Sequence, residues 1–247
     1  MILDNRGGHN RKKINENFFK LWCPKMAYVL GFIYADGSLL NTNKSSRTYY
    51  LSFSNNDYPL LEKIREALES EHRIYFRGKR EINYRNHTYM AKPSYVLRIG
   101  SKTIYQDLIE IGLQHKKSRI MTLPEIPRKY FSFFLRGYFD GDGCISWYFA
   151  KMRNYPSIRV LFSSGSKEYL EKIGKYICTY MNIKSYRIQS NDTAYNLIFQ
   201  GASAVIVLQN IYHSLTDVPY LEYKYAKYSE YLDKYLGPRI KKSIEMI

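Results

Sequence analysis

The chain carries one short pattern twice. VLGFIYADG occupies residues 29–37 and LRGYFDGDG residues 135–143; each is an apolar, helix-like run ending on a small residue, an aspartate and a glycine. A helix that only had to stop would end on glycine or asparagine with no charge beside it. The copies align without gaps and set Asp36 and Asp142 106 residues apart (142 − 36). The segments downstream of the two copies also match. LSFSNNDYPLLEKI (51–64) parallels VLFSSGSKEYLEKI (160–173), and HKKSRI (115–120) parallels YKYAKY (223–228), pairing Lys117 with Lys224. A repeat of this length is a duplicated domain, far longer than a solenoid period. It divides the chain into an N-terminal arm (1–22), a first repeat (23–122), and a second repeat (123–247) carrying a C-terminal helix.

Each repeat reads in the same order. An apolar helix comes first, opened by Pro24 in one copy and Pro127 in the other, because proline suits a first helical turn. Two strands come next, 38–41 and 48–54 or 144–152 and 156–163, then a helix containing LEKI with apolar residues at helical spacing. Alternating strands in RIYFRGK (73–79) and SYRIQS (185–190), with partners at 94–100 and 194–200, lead to closing helices at 102–112 and 202–213. The expected fold is therefore α+β, two pseudo-symmetric αββαββα units with antiparallel sheets. Each sheet has one face on helices and one open. The open faces would carry Arg73, Tyr75, Arg77, Arg159, Arg187 and Gln189, and the hairpin loops Lys44, Arg47, Lys151 and Arg153. A basic row of this kind is often only a solvated face.

Charge weighs against that bland reading. Lys and Arg number 38 against 22 Asp and Glu, giving +16 and an isoelectric point near 9.6. Such a surplus calls for a polyanionic partner. Three scattered cysteines, with no CxxC and no zinc-ligand histidine spacing, argue against a disulfide framework or structural zinc. The first residues lack the apolar stretch of a signal peptide and no run of about 18 apolar residues occurs, so a soluble intracellular protein is expected, with no membrane partner.

Small residues lie four apart in each copy, Gly31 with Ala35 and Gly137 with Gly141. Such stripes let two helix backbones approach closely. Packed stripe to stripe, the two helices would bring Asp36 and Asp142 together, which is costly unless a cation shares them. Hard oxygen ligands of this kind suit magnesium. An isolated Asp-Gly after an apolar run would read only as a turn.

These residues resemble the LAGLIDADG homing endonucleases, in the form that holds both motifs in one chain. The likeness covers nearly everything after the first twenty residues. It implies two sheets forming a DNA-binding saddle, joined by the motif helices, in a monomer. It implies that Asp36 and Asp142 bind the catalytic divalent metal, helped by the backbone carbonyls of Ala35 and Gly141. Lys117 and Lys224 resemble the family's basic residues near the active site. Asp57 and Ser166 match a polar position that can hold water, although each also reads as a helix N-cap, which is the preferred role. Tyr34 and Arg136 depart from the motif. The implied activity is site-specific cleavage of double-stranded DNA at a long asymmetric target, leaving 3′ overhangs. Mg2+ would be the cofactor, with Mn2+ substituting and Ca2+ binding without fast cleavage. The alternatives on the same fold are an intron RNA maturase and a DNA-binding regulator that does not cut.

Overall fold

The computed structural model describes residues 12–41, 49–84, 87–114, 121–149, 155–190 and 194–237. The first unit runs α1 (Pro24–Asp36), β1 (Gly37–Asn41), β2 (Tyr49–Asn55), α2 (Tyr58–Ala67), β3 (Ile74–Arg77), β4 (Arg80–Tyr84), β5 (His87–Ala91), β6 (Ser94–Gly100) and α3 (Lys102–Glu110). The second runs α4 (Phe131–Asp142), β7 (Gly143–Phe149), β8 (Pro156–Ser164), α5 (Lys167–Met181), β9 (Arg187–Ser190), β10 (Tyr195–Gln200) and α6 (Ala202–Ile211), and then α7 (Glu222–Tyr231). The two main sheets have the same topology, β1-β2-β6-β3 and β7-β8-β10-β9, with antiparallel neighbours throughout. The duplicated α+β architecture expected from the sequence is the architecture found.

Two details differ. The second motif helix does not open at Pro127; that proline precedes a 3-10 turn at Arg128–Tyr130, and α4 begins at Phe131. Pro127 is itself extended, with φ −57° and ψ 134°, so helical backbone begins only after it. In the first unit the β3–β6 hairpin continues outward as a second ladder, β4 with β5, where the sequence pattern predicts no strand.

Alternation sets the core. Leu51 and Phe53 on β2, Leu97 and Ile99 on β6, Val160 and Phe162 on β8, and Leu197 and Phe199 on β10 are all buried toward the helices. The caps of the two LEKI helices are those expected. Asp57 accepts from the Leu60 N–H at 2.8 Å and Ser166 from the Tyr169 N–H at 3.3 Å. The described part of the first 22 residues is packed on the first unit. Phe18 and Phe19 are buried, the Asn15 N–H donates to the Leu68 carbonyl, and Glu16 accepts from Ser101 and Thr103.

The centre of the molecule is the α1–α4 pair. A Cβ on Gly31 would overlap the Phe134 carbonyl and press on the Tyr138 N–H; one on Gly137 would overlap the Tyr28 carbonyl and press on the Phe32 N–H. The two descriptions interchange when 106 is added or subtracted, so the contact has a pseudo-twofold axis. One turn farther on, a Cβ on Gly141 would overlap the Ala35 methyl. Ala35 and Gly141 therefore face each other across the axis, and only one of them can carry a methyl group. Both helices then pass straight into strands through Gly37 and Gly143, where a Cβ would strike the helix's own last turn, against Ile33 or Phe139.

Gly141→Ala should lower stability by about 1–3 kcal/mol through overpacking at the axis. Adding Ala35→Gly should restore most of the loss, because the pair again carries one methyl and the same number of helical glycines. Thermal melting of the single and double variants checks this; an unrescued double variant would show that the two residues do not oppose each other.

Candidate active site at the paired helix ends

Packing at Gly31 and Gly137 decides where the motif aspartates go. Each is the last residue of its helix, and each is half-buried. The Asp36 carboxyl carbon lies 3.5 Å from where a Gly141 Cβ would stand, so Asp36 reaches across to the other motif. Neither helix has a basic residue in its last turn. Both carboxylates thus sit at the negative pole of a helix dipole, the end that favours cations. Two acids on two converging negative poles make a strongly electronegative point in a chain whose net charge is +16.

Neighbouring side chains hold this point in shape. Asn55, at the end of β2, donates its amide N–H to Asp36 Oδ2 at 2.7 Å, and its own carbonyl accepts from the Asp57 N–H at 2.9 Å. Ser164 stands at the matching place in the second unit and accepts from the Ser166 N–H at 3.1 Å. No sequence signal marks Asn55, because the repeats diverge at that position.

Lys224, expected near the reacting groups, comes from α7 and is buried. Its ammonium donates to the carbonyls of Phe139 (2.6 Å), Asp140 (2.9 Å) and Gly143 (2.6 Å). All three protons therefore go to carbonyls at the junction of α4 and β7, adding to the Gly143 N–H that already reaches the Phe139 carbonyl. Burial lowers its pKa, while the charges of Asp140, Asp36 and Asp142 pull the other way. The lysine thus fixes the carbonyl edge beside the aspartates and offsets part of their charge.

Behind it lies a buried polar cluster. Asp140, two residues before the end of α4, accepts from the Tyr28 hydroxyl of α1 at 2.8 Å and from the Leu221 N–H that opens α7 at 2.9 Å. Burial pushes its pKa up to about 6, against the Tyr28 hydrogen bond, the Lys224 charge, the Leu221 N–H and the Arg136 charge. Arg136, the motif's other departure, is fully buried over the rings of Phe133 and Tyr212 and donates to the carbonyls of Ile211 and Ser214 beyond α6. In the first repeat the position of Asp140 is held by Tyr34, which packs among Phe134 and Tyr169. The charged letters inside the second apolar run are a readable sign of this cluster, since buried charges are retained only with partners.

The open sheet faces carry several of the expected contacts. Arg77 and Tyr75 lie on β3, Tyr75 with 57% exposure, and share their face with Arg98 of β6. Arg98 is an addition to the residues expected from sequence; it lies over the Tyr50 ring at 5.6 Å. In the second unit Arg187 and Gln189 of β9 pair with Ile198 and Asn196, and Arg159 of β8 is flanked by Ser146 and Gln200. Arg73 is exposed and precedes β3. Lys44, Arg47, Lys117, Lys151 and Arg153 lie outside the described residues.

A family model for the LAGLIDADG-like domain matches residues 24–112 and 132–212. The chain belongs to this family. Solved LAGLIDADG proteins share the fold. The meganuclease I-SmaMI bound to uncleaveable DNA superposes with a TM-score of 0.57 at 13% identity, covering 90% of this chain and 91% of that one. The homing endonuclease I-WcaI bound to its DNA recognition sequence gives 0.52 at 14% identity, over 79% and 85%. Full-length DUF199/WhiA from Thermatoga maritima gives 0.50 at 15% identity, over 94% and 69%. Among curated proteins, reverse gyrase of Methanocaldococcus jannaschii is 33% identical over 81 residues, 32% of this chain, which spans 5% of that protein's length. Among the described residues no helix is long and apolar enough to cross a membrane.

Two measurements test the polar scaffold. Lys224→Ala should cost about 3 kcal/mol, because it removes three hydrogen bonds from a charged donor at a largely buried site; chemical denaturation of the variant that matched the parent would return Lys224 to a purely catalytic role. For Asp140 the sign comes from its raised pKa. Between its ordinary value near 3.8 and about 6, the folded chain keeps a proton that the unfolded chain has released. Stability should therefore fall as pH rises through that window and level off above it. The stability difference between the parent and Asp140→Asn, measured across that window in metal-free buffer, should carry that slope.

Proposed function

We propose that this chain is a divalent-metal-dependent endonuclease that cuts both strands of double-stranded DNA at a long asymmetric site, leaving 3′ overhangs. The observation that supports it most is the convergence of Asp36 and Asp142 on two helix ends, between two sheets with basic open faces. A purely structural junction would not set two carboxylates on two negative helix poles.

The donor set fits a hard cation. Among the described residues no group of three or more His, Cys, Asp or Glu side chains is placed to hold a metal. Two carboxylates with nearby backbone carbonyls remain, and Mg2+ is commonly held by one or two carboxylates with its other positions left to water and phosphate. Asp36 and Asp142 would hold it, with the carbonyls of Ala35 and Gly141 beside them. Such an ion lowers the pKa of bound water and neutralises charge on the leaving 3′ oxygen; Mn2+ should serve as well, and Ca2+ should support binding without fast cutting.

The chain's own residues supply position. Asn55 fixes the rotamer of Asp36, and Lys224 fixes the carbonyl edge at the end of α4. The Gly31 and Gly137 contact holds the two acids on either side of one pseudo-twofold axis, so each faces one strand of a duplex laid across the axis. Arg77, Tyr75, Arg98, Arg159, Arg187 and Gln189 line the faces on which the flanking duplex would rest, where cations meet phosphates and planar side chains meet base edges. With both halves present in one chain, the active species is a monomer.

A duplex selected by binding from a random-sequence pool provides the test. Asp36→Asn and Asp142→Asn keep the shape of each helix end and the Asn55 contact while removing one charge. Each should reduce Mg2+-dependent double-strand cleavage below detection yet bind the selected duplex as tightly as the parent or more so. Full cleavage by either variant would sink the assignment. Tight binding by the parent with no cleavage under Mg2+ or Mn2+ would favour a regulator that does not cut, and preferential binding of structured RNA a maturase.

A further inference from the structure

The outer hairpin of the first unit is much longer than its counterpart. β3 with β6 and β4 with β5 keep one register: Ile74 opposes Leu97, Arg77 opposes Ser94, Arg80 opposes Ala91 and Tyr84 opposes His87. They are one ribbon eleven positions long, from 74 to 84, with nine paired rungs and a break where Gly78 and Lys79 face Pro93 and Lys92. Proline has no N–H to give the ladder, which explains the break. In the second unit the matching hairpin pairs Arg187–Ser190 with Tyr195–Ile198, four rungs. At about 3.3 Å per residue, the seven additional positions make the first ribbon roughly 23 Å longer.

The side chains described along this extension are largely exposed. Arg80, Glu81 and Ile82 on one strand and Thr88, Tyr89 and Met90 on the other are all exposed, Tyr89 at 54% and Met90 at 61%. A two-stranded ribbon alone in water is marginal, and a run of exposed apolar side chains marks a contact surface. Its charge is one-sided: Lys79, Arg80 and Lys92 against Glu81. Lys79 and Lys92, opposite one another in that register, continue the open face on which Arg77 and Arg98 stand while Arg80 stands on the other face, so whatever lies along the sheet meets the ribbon next. Protein-binding strands would not need that sign, whereas a polyanion does. The major groove, about 12 Å wide, admits a two-stranded ribbon.

We propose that residues 78–84 and 87–93 form a DNA-reading arm that lies in the major groove beyond the first sheet. The half-site read by the first unit then reaches roughly seven base pairs farther from the cleavage centre than that read by the second, at about 3.4 Å per base pair. This rests on the proposed DNA-binding function and adds to it which half of the target is longer and which segment reads the extra length.

The experiment is a hydroxyl-radical footprint of the full chain on the selected duplex, with the cleavage positions marking the centre. Protection should extend farther on one side. Replacing Gly78–Pro93 by Asn-Gly closes the Arg77–Ser94 pair with a two-residue turn that hairpins favour. This variant should lose protection on the long side only and bind at least about tenfold more weakly, while the other side stays protected. Lys79→Glu with Lys92→Glu, two exposed changes that leave the backbone intact, should weaken the same side if the shortened chain fails to fold. Equal arms in the parent, or an unchanged long side in both variants, would overturn the arm while leaving the DNA function intact. A chain that protects no duplex would overturn both. Dimers that dissociate when the ribbon is shortened, or ribbon residues protected only by RNA, would assign the surface to another partner and overturn the arm.

Discussion

Everything in this molecule is arranged around one close contact, the backbone of α1 against the backbone of α4. Gly31 and Gly137 let each helix rest on carbonyls of the other, with no side chain between. At that distance the helix ends cannot diverge, and the groups at their last residues are forced together. The sheets continue directly from the same ends through Gly37 and Gly143, so the contact also sets where β1 and β7 begin. Core packing on either side keeps each unit folded; the helix pair is the central tie between the two units, with Tyr34 stacked on Tyr169 and Lys63 bonded to Glu222 beside it.

That contact creates an electrostatic difficulty which the rest of the structure answers in part. Helix ends accumulate unpaired carbonyls and negative potential, and here two of them converge with an aspartate on each. The second helix receives an ammonium group from a distant element, Lys224 of α7, and Asp140 in turn anchors the start of α7 through the Leu221 N–H. Arg136 treats the end of α6 in the same way, through Ile211 and Ser214. A buried cation on one helix closing the end of another is thus used twice, and it ties the C-terminal helix to the motif helix next to the aspartates.

Much of this is legible in the sequence. Periodicity locates the repeated helices and strands, and the four-residue spacing of small residues implies a helix pair with two acids at its end. The N-caps at Asp57 and Ser166 are also readable, since a short polar side chain before an apolar run has few other uses. The rest depends on contacts between residues far apart in the chain. Asn55 meets Asp36 across 19 positions and Lys224 meets Phe139 across 85, with no local pattern to announce either. Lys224 can be found as a matching letter in a repeat, but its three carbonyl partners cannot. The outer ladder of the first ribbon escapes because Gly78 and Pro93 interrupt it, and both residues read locally as an end to strand structure.

The Ala35–Gly141 contact carries a consequence for how such a chain can be taken apart. A duplicated fold invites the question whether either half could pair with itself. Two copies of the second half would bring glycine against glycine at the axis, which the spacing tolerates. Two copies of the first would bring methyl against methyl where there is room for one. The single methyl group at this point therefore acts as a mating bias: the first half pairs with the second more favourably than with itself, by an overpacking cost of about 1–3 kcal/mol.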